Sequence, residues 1–253
     1  MTTLHDGFRN RARRRFLPGR NGTDKRIESD VLPGVIVHVL GPSHDESVIR
    51  DMEPPAGKSY LRLMSGADPG VPDVPQPFED WIFADAAYKK SYPHLALPTP
   101  YQKQLQDIGD DFAQAVAVSL DKAVNGTSLM LVFKIGRVHL LFPGDAQWDT
   151  WRSALDHAES RALLRKAEFY KVGHHGSHNA TPIEFVEKVF HKDSWTMTSV
   201  RPVAKWKSIP RKPLLEALGK KTRRLVRSDR ADAAARAGFR VAPLYVEATI
   251  PLR

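Results

Sequence analysis

The chain has 253 residues, of which 42% are hydrophobic and 26% charged, and its formal net charge is +9 at pH 7. It contains no Cys, which excludes disulfides, thiolate metal sites, iron–sulfur clusters and a cysteine nucleophile. The length suits one large domain, with or without arms, and the positive charge admits a polyanionic partner or substrate such as nucleic acid, although the basic clusters also fit solvated faces or tails.

The first half of the chain is unevenly patterned. Residues 1–30 are polar and rich in Arg, and no apolar segment follows the basic stretch, so we predict a basic arm rather than a signal peptide. Val35–Leu40 (VIVHVL) lies between Pro-Gly and Gly-Pro pairs and predicts the first strand. Residues 41–100 are rich in proline and predict a long insertion, and the apolar spacing in 102–123 then predicts a helix.

From residue 125 onward the pattern is regular, and strands alternate with helices. No apolar run reaches the roughly 20 residues of a membrane span, so we expect a cytoplasmic protein that does not enter membranes. The predicted strands are 128–133 and 137–142, joined as a hairpin, then 168–172, 195–200, 224–227 and 239–248. The predicted helices are 149–166, as one or two segments, 182–190 and 213–219. This alternation predicts an α/β or α+β protein, with one domain over residues 31–253.

Two segments that follow predicted strands carry the candidate metal-binding or catalytic residues. The first is LLFPGDA, which contains Asp145, and the second is YKVGHHGSHNAT, which contains His174, His175 and His178. Carboxylates and imidazoles are ligands for divalent metals, and neighbouring glycines let the backbone turn sharply beside a ligand. Three imidazoles within five residues pack poorly in a core, so this pattern favours metal binding or catalysis.

In this order the two segments resemble the C-terminal half of metallo-β-lactamase-fold hydrolases. The similarity is to the bacterial branch that includes the nuclease-like domain of DNA-uptake (competence) proteins. The segment NGTSL (residues 125–129) ahead of the hairpin matches that branch, and TSVRP (198–202) and SIP (208–210) fall where such proteins have a strand and a loop near the site. The resemblance covers residues 30–230 and is strongest over 125–200. It implies an αββα sandwich from which much of the N-terminal half is missing.

The resemblance also implies a metal-dependent hydrolase that acts on a phosphodiester or nucleic acid. In the intact family site Asp145 would bridge two divalent ions, with zinc expected first and manganese second. One of His174 and His175 would be a terminal ligand, and the other would lie beside the metals or near the substrate. Asp145, His175 and His178 would form the catalytic set, in which bound metal lowers the pKa of a water molecule.

Further residues are implied as substrate contacts. Ser177, His178 and Arg201 would donate hydrogen bonds to an anionic substrate. Asn125 stands where many relatives have another metal-binding His, and it is assigned here to the substrate side.

The family's main metal motif, His-x-His-x-Asp-His, is absent from the chain, whose ten His residues show no such spacing. With Asp145 and one or two imidazoles alone, a metal would keep several water ligands and bind weakly. Three interpretations stay open: a fragment of a longer hydrolase, one half of a split enzyme completed by a partner chain or a homodimer, or an inactive homologue.

The inactive alternative is a basic module that binds nucleic acid or a protein partner. Besides the arginines of the arm, a second basic cluster supports it. The members of this cluster are Lys220, Lys221, Arg223, Arg224, Arg227 and Arg230.

Overall fold

The structure is a computed structural model, and it describes residues 17–18, 25–45, 48, 54–60, 125–200, 209–222, 224–230 and 238–252. The chain divides into two compact units, Met1–Leu61 with Gly126–Arg253, and Arg62–Asn125. Asn125 belongs to the second unit, and all other described residues belong to the first. The helix predicted at 102–123 and most of the predicted arm and insertion lie outside the described residues.

The described part of the first unit is built on one seven-stranded mixed sheet, in the spatial order β1 to β7. The strands β1 to β4 pair antiparallel, and β4 to β7 pair parallel. The strands are β1 (Arg26–Ser29), β2 (Leu32–Gly41), β3 (Met130–Ile135), β4 (Val138–Phe142), β5 (Ala167–Lys171), β6 (Trp195–Thr198) and β7 (Leu225–Arg227). The helices are α1 (Trp148–Asp156), α2 (Ala158–Arg165) and α3 (Lys212–Thr222), with a π-helical turn at Phe185–Val189 and a 3₁₀ turn at Gly173–Gly176.

This mixed sheet with few helices confirms the predicted α+β class. The predicted hairpin is also present, because Ile135 pairs with Val138 across a two-residue turn. Gly136 in that turn has φ of +59°, a left-handed conformation that glycine adopts without steric cost. Among the described residues no helix is long and apolar enough to cross a membrane.

The main core lies on the face of the sheet that the helices cover. Aromatic rings form its centre, since Trp151 of α1 lies 4.7 Å from Phe185 and Tyr170 of β5 lies 5.2 Å from Phe185, between ring centroids. Leu164 of α2 and Leu218 of α3 are fully buried in the same cluster. A large buried ring system of this kind fixes β5, and with it the residues that follow β5.

A short hairpin covers part of the opposite face. It consists of β8 (Arg240–Val241) and β9 (Val246–Glu247). The sequence predicted one strand over 239–248, and this is wrong because the chain reverses at Pro243, where Ala242 N–H donates to the Tyr245 carbonyl at 2.9 Å. Proline disfavours the interior of a strand and favours such turns.

Two other expectations are corrected near the start of the chain. Residues 26–29 were assigned to the arm, but they form β1, which pairs antiparallel with β2. Tyr60 was assigned to the insertion, but its ring is buried in the main core and its hydroxyl donates to Glu187 Oε1 at 3.1 Å. Both segments have few apolar residues, so tertiary pairing rather than local pattern determines their place.

Candidate functional site

The Asp145 turn follows β4 at the carboxyl edge of the parallel part of the sheet. It is closed by a hydrogen bond from Ala146 N–H to the Pro143 carbonyl at 3.1 Å. Gly144 has φ of +59°, and a Cβ at this position would come within 3.2 Å of the Leu129 carbonyl oxygen. Glycine is therefore required for the turn, which leaves Asp145 half-buried at the strand end.

The imidazole loop follows β5, the next strand in the sheet. His174 has φ of 42° and ψ of 48°, and His175 has φ of 52° and ψ of 20°. Each left-handed residue other than glycine costs roughly 1–2 kcal/mol. Gly176 continues the left-handed run with φ of +81°. Strain of this kind at consecutive residues is characteristic of functional sites.

Hydrogen bonds hold this strained loop in place. Ser177 N–H donates to the His174 carbonyl at 2.9 Å, and Arg211 N–H donates to the Gly176 carbonyl at 3.0 Å. His174 N–H also donates to the Gly144 carbonyl at 3.2 Å, so the backbone of the imidazole loop is bonded directly to the Asp145 turn. The structure thus brings together the two segments that the sequence singled out.

Gly173 makes this close approach possible. A Cβ on Gly173 would lie 3.1 Å from Pro143 Cγ and 3.2 Å from the carbonyl oxygens of both Gly144 and Ala180. These distances are tighter than ordinary contacts, so the two loops are packed backbone against backbone at this point.

The His175 side chain has a defined tautomer. Its Nδ1 lies 2.7 Å from the Ser199 carbonyl oxygen, just beyond β6. Because a carbonyl oxygen only accepts, Nδ1 donates the proton, and Nε2 of the neutral ring carries a lone pair. The side chain is exposed, and a metal-binding His is commonly oriented by a bond of this type from its other ring nitrogen.

Lys171, the last residue of β5, is a charged side chain at the site that the sequence did not single out. Burial lowers the pKa of its ammonium group, and the nearby Asp145 carboxylate partly offsets that effect. Its Nζ also donates to the Val172 carbonyl at 3.3 Å. A Lys between buried residues of a central strand was the available signal, since such a position normally carries an apolar side chain.

The residues predicted to contact the substrate differ from one another in burial and in position. Ser177 is buried, and its hydroxyl donates to Asn179 Oδ1 at 3.0 Å, so that proton is engaged within the protein. His178 is half-buried on the same loop. Asn125 is half-buried in the second unit, and Arg201 lies outside the described residues.

The described side chains at this site are of the types that bind divalent metals, but they are too few to form a complete metal site. Asp145 offers a carboxylate, and His175 offers Nε2 in the tautomer that metal binding needs. Within the described ranges, however, no three acidic or imidazole side chains are grouped so that they could hold a metal ion. The described residues could therefore supply at most part of a coordination sphere.

Comparisons with models of protein families, with curated proteins and with solved structures found no match to this chain.

Proposed function

We propose that the chain is a metal-dependent hydrolase of the metallo-β-lactamase superfamily that cleaves phosphodiesters, with its site where β4 and β5 end. The observation that carries the proposal is the 3.2 Å hydrogen bond from His174 N–H to the Gly144 carbonyl, which joins the carboxylate turn to the imidazole loop. In open sheets with parallel strands, ligands bind beyond the carboxyl ends of the strands. The resemblance of these two segments to that superfamily supports the reaction class.

Asp145 and His175 are the residues that would hold the metal. The bond from His175 Nδ1 to the Ser199 carbonyl fixes the ring and, in the neutral imidazole, leaves the lone pair on Nε2. His174 is half-buried and contributes its backbone to the joined loops. A divalent ion, when bound, would lower the pKa of a water molecule and polarise the phosphoryl group.

The positive charge of the chain favours a phosphodiester as the substrate. The chain carries a formal net charge of +9, which attracts polyanions and raises their rate of encounter. Lys171 adds a cation at the same edge of the sheet as Asp145. A cation beside a metal site stabilises negative charge that develops on a phosphoryl oxygen.

The test combines metal binding with turnover. Equilibrium dialysis with Zn²⁺ and with Mn²⁺, followed by elemental mass spectrometry, measures occupancy, and bis(p-nitrophenyl) phosphate reports phosphodiester cleavage. Asp145→Asn should weaken metal binding by at least about tenfold and abolish cleavage. Asp156→Asn is the matched control, because Asp156 is an exposed carboxylate at the end of α1. Absence of metal binding by the unaltered chain, or equal behaviour of the two variants, would contradict the proposal.

The role of the imidazole has its own pair of variants. His175→Ala removes the proposed metal-binding nitrogen, whereas His191→Ala removes an exposed imidazole that follows the π-helical turn. We expect loss of metal binding and of cleavage only in the first. Full retention of both properties in His175→Ala would show that the site lies elsewhere.

The second candidate function is nucleic-acid binding without catalysis, and one observation favours it. The last turn of α3 carries Lys220 and Lys221, and the exposed Arg224 follows, with its guanidinium 4.7 Å from the Trp195 ring centroid. This function predicts binding to duplex DNA that weakens steeply with salt and is unaffected by EDTA, measured by fluorescence anisotropy. Binding that ignores ionic strength would rule it out.

A further inference from the structure

A pocket of about 280 Å³ lies on the sheet face that carries the β8–β9 hairpin. Its floor is a row of side chains at paired positions on three parallel strands, since Lys171 pairs with Met197 and Met197 pairs with Val226. Residues paired in register point to the same face of a sheet. The floor is therefore apolar over β6 and β7 and ends in a cation at β5.

The hairpin forms the cover of this pocket. It is anchored below by Phe239, whose ring lies 4.9 Å from that of Trp195, and by Val246, which packs against the cluster that contains Val226. The tip lines the pocket with Leu244, which is 95% exposed, and Tyr245, which is 52% exposed. Exposed apolar side chains at the rim of a pocket are available to contact a bound ligand.

The described residues that line the pocket carry positive charge and no negative charge. Among the described residues that line the pocket, Lys171 is the one charged side chain, and no carboxylate is present. Asp145 attracts the Lys171 ammonium from outside the lining. A concave, mostly apolar site with a single placed cation selects a small molecule with an acidic group at one end.

We infer that this pocket binds a small organic acid of mononucleotide size or less, with its phosphate or carboxylate on Lys171 and its apolar body between the Met197–Val226 floor and the hairpin tip. The volume lies just below the usual range for small-molecule sites, which sets the size limit. Binding here requires neither metal nor hydrolysis, so the inference goes beyond the proposed function and is tested separately from it.

The experiment is isothermal titration calorimetry on the full chain in buffer with EDTA. The probes are AMP, which carries a phosphate, and N-acetyltryptophan, which carries a carboxylate. We expect at least one of them to bind with Kd below about 1 mM. Its uncharged analogue, adenosine or N-acetyltryptophanamide, should bind at least about tenfold more weakly. Failure of both acids to bind, or equal binding of an acid and its uncharged analogue, overturns the inference.

Variants locate the site. Lys171→Met should weaken the acid's binding by about tenfold or more, whereas Lys166→Met, an exposed lysine before the start of β5, should leave it unchanged. Ala242→Phe, which fills the pocket from the hairpin while keeping Lys171, should also weaken binding. Equal affinity in Lys171→Met and Lys166→Met would place the ligand elsewhere and overturn the inference.

Asp145→Asn separates this inference from the proposed function. In EDTA it should strengthen binding of the acid, because it removes a carboxylate that attracts Lys171 and repels an anion. The same substitution should abolish metal binding if the proposed function holds. A weaker affinity for the acid in Asp145→Asn would contradict the pocket, whereas unchanged metal binding would contradict the hydrolase site alone.

Discussion

Replacement of Gly173 by Ala tests how tightly the carboxylate turn and the imidazole loop are packed. The new methyl group would lie 3.1 Å from Pro143 Cγ and 3.2 Å from the carbonyl oxygens of Gly144 and Ala180. Two of these three neighbours are backbone atoms, which cannot rotate away, so the backbone around Gly173 would have to shift by a few tenths of an ångström. Overpacking of this kind costs about 1–3 kcal/mol of the free energy of unfolding.

Gly219→Ala is the matched control, because it adds the same methyl group inside α3. Its nearest neighbour would be Leu225 Cδ2 at 3.9 Å, an ordinary contact. Alanine in a helix interior is more stable than glycine by about 0.5–1 kcal/mol, so this variant should be more stable than the unaltered chain. The two substitutions therefore have opposite expected signs.

Urea unfolding followed by tryptophan fluorescence measures both effects, since Trp151 is fully buried. Hydrogen exchange of the His174 amide adds a local measurement, because Gly173→Ala should break its bond to the Gly144 carbonyl and speed the exchange. A Gly173→Ala protein as stable as the unaltered chain, with unchanged His174 exchange, would refute the close packing of the two loops.

Two further predictions concern pH. Burial lowers the pKa of both His38 and His139 below the ordinary 6.5, so the unfolded chain binds more protons and the free energy of unfolding should fall as pH drops below about 6.5. Urea titrations over that range check this, and a flat profile would contradict it; His139→Gln should reduce the slope. Burial raises the pKa of Tyr170 above the ordinary 10.0, so stability should also fall as pH rises above 10. Tyr170→Phe should reduce this alkaline loss, to which Tyr60 also contributes because burial raises its pKa too. The substitution should cost about 1–2 kcal/mol at neutral pH, because Thr181 Oγ1 loses its 2.7 Å partner. An unchanged alkaline profile would show that Tyr170 is not responsible.

The parallel strands could be predicted from sequence because each has a strong local signal. The predicted 168–172 and 195–200 agree with β5 and β6 within two residues at each end. The β3–β4 hairpin was predictable because Gly136 marks its turn between two β-rich runs. β1 was not, since RIES has one apolar residue and exists as a strand only through its pairing with β2.

Within the candidate site, the sequence identified the two loops but not their connection. Motif spacing placed Asp145 and the paired His after strands, which is a local property. The bond from His175 to the Ser199 carbonyl joins residues 24 apart in the chain, and no local pattern encodes it. The same limit explains why Lys171 was missed: its importance arises from the hairpin that covers it and from Asp145 on the neighbouring loop.

The backbone of the imidazole loop itself favours a functional reason for the two His residues. Glycine would adopt the left-handed angles of His174 and His175 without steric cost, as Gly176 does next to them. The chain instead places two β-carbon-bearing residues there, each at a cost of roughly 1–2 kcal/mol. The bond to the Ser199 carbonyl offsets part of this for His175, and it fixes the orientation of a ring that stays exposed. A side chain that is strained, oriented and exposed at once contributes little to stability, so its chemistry is the better explanation for its presence.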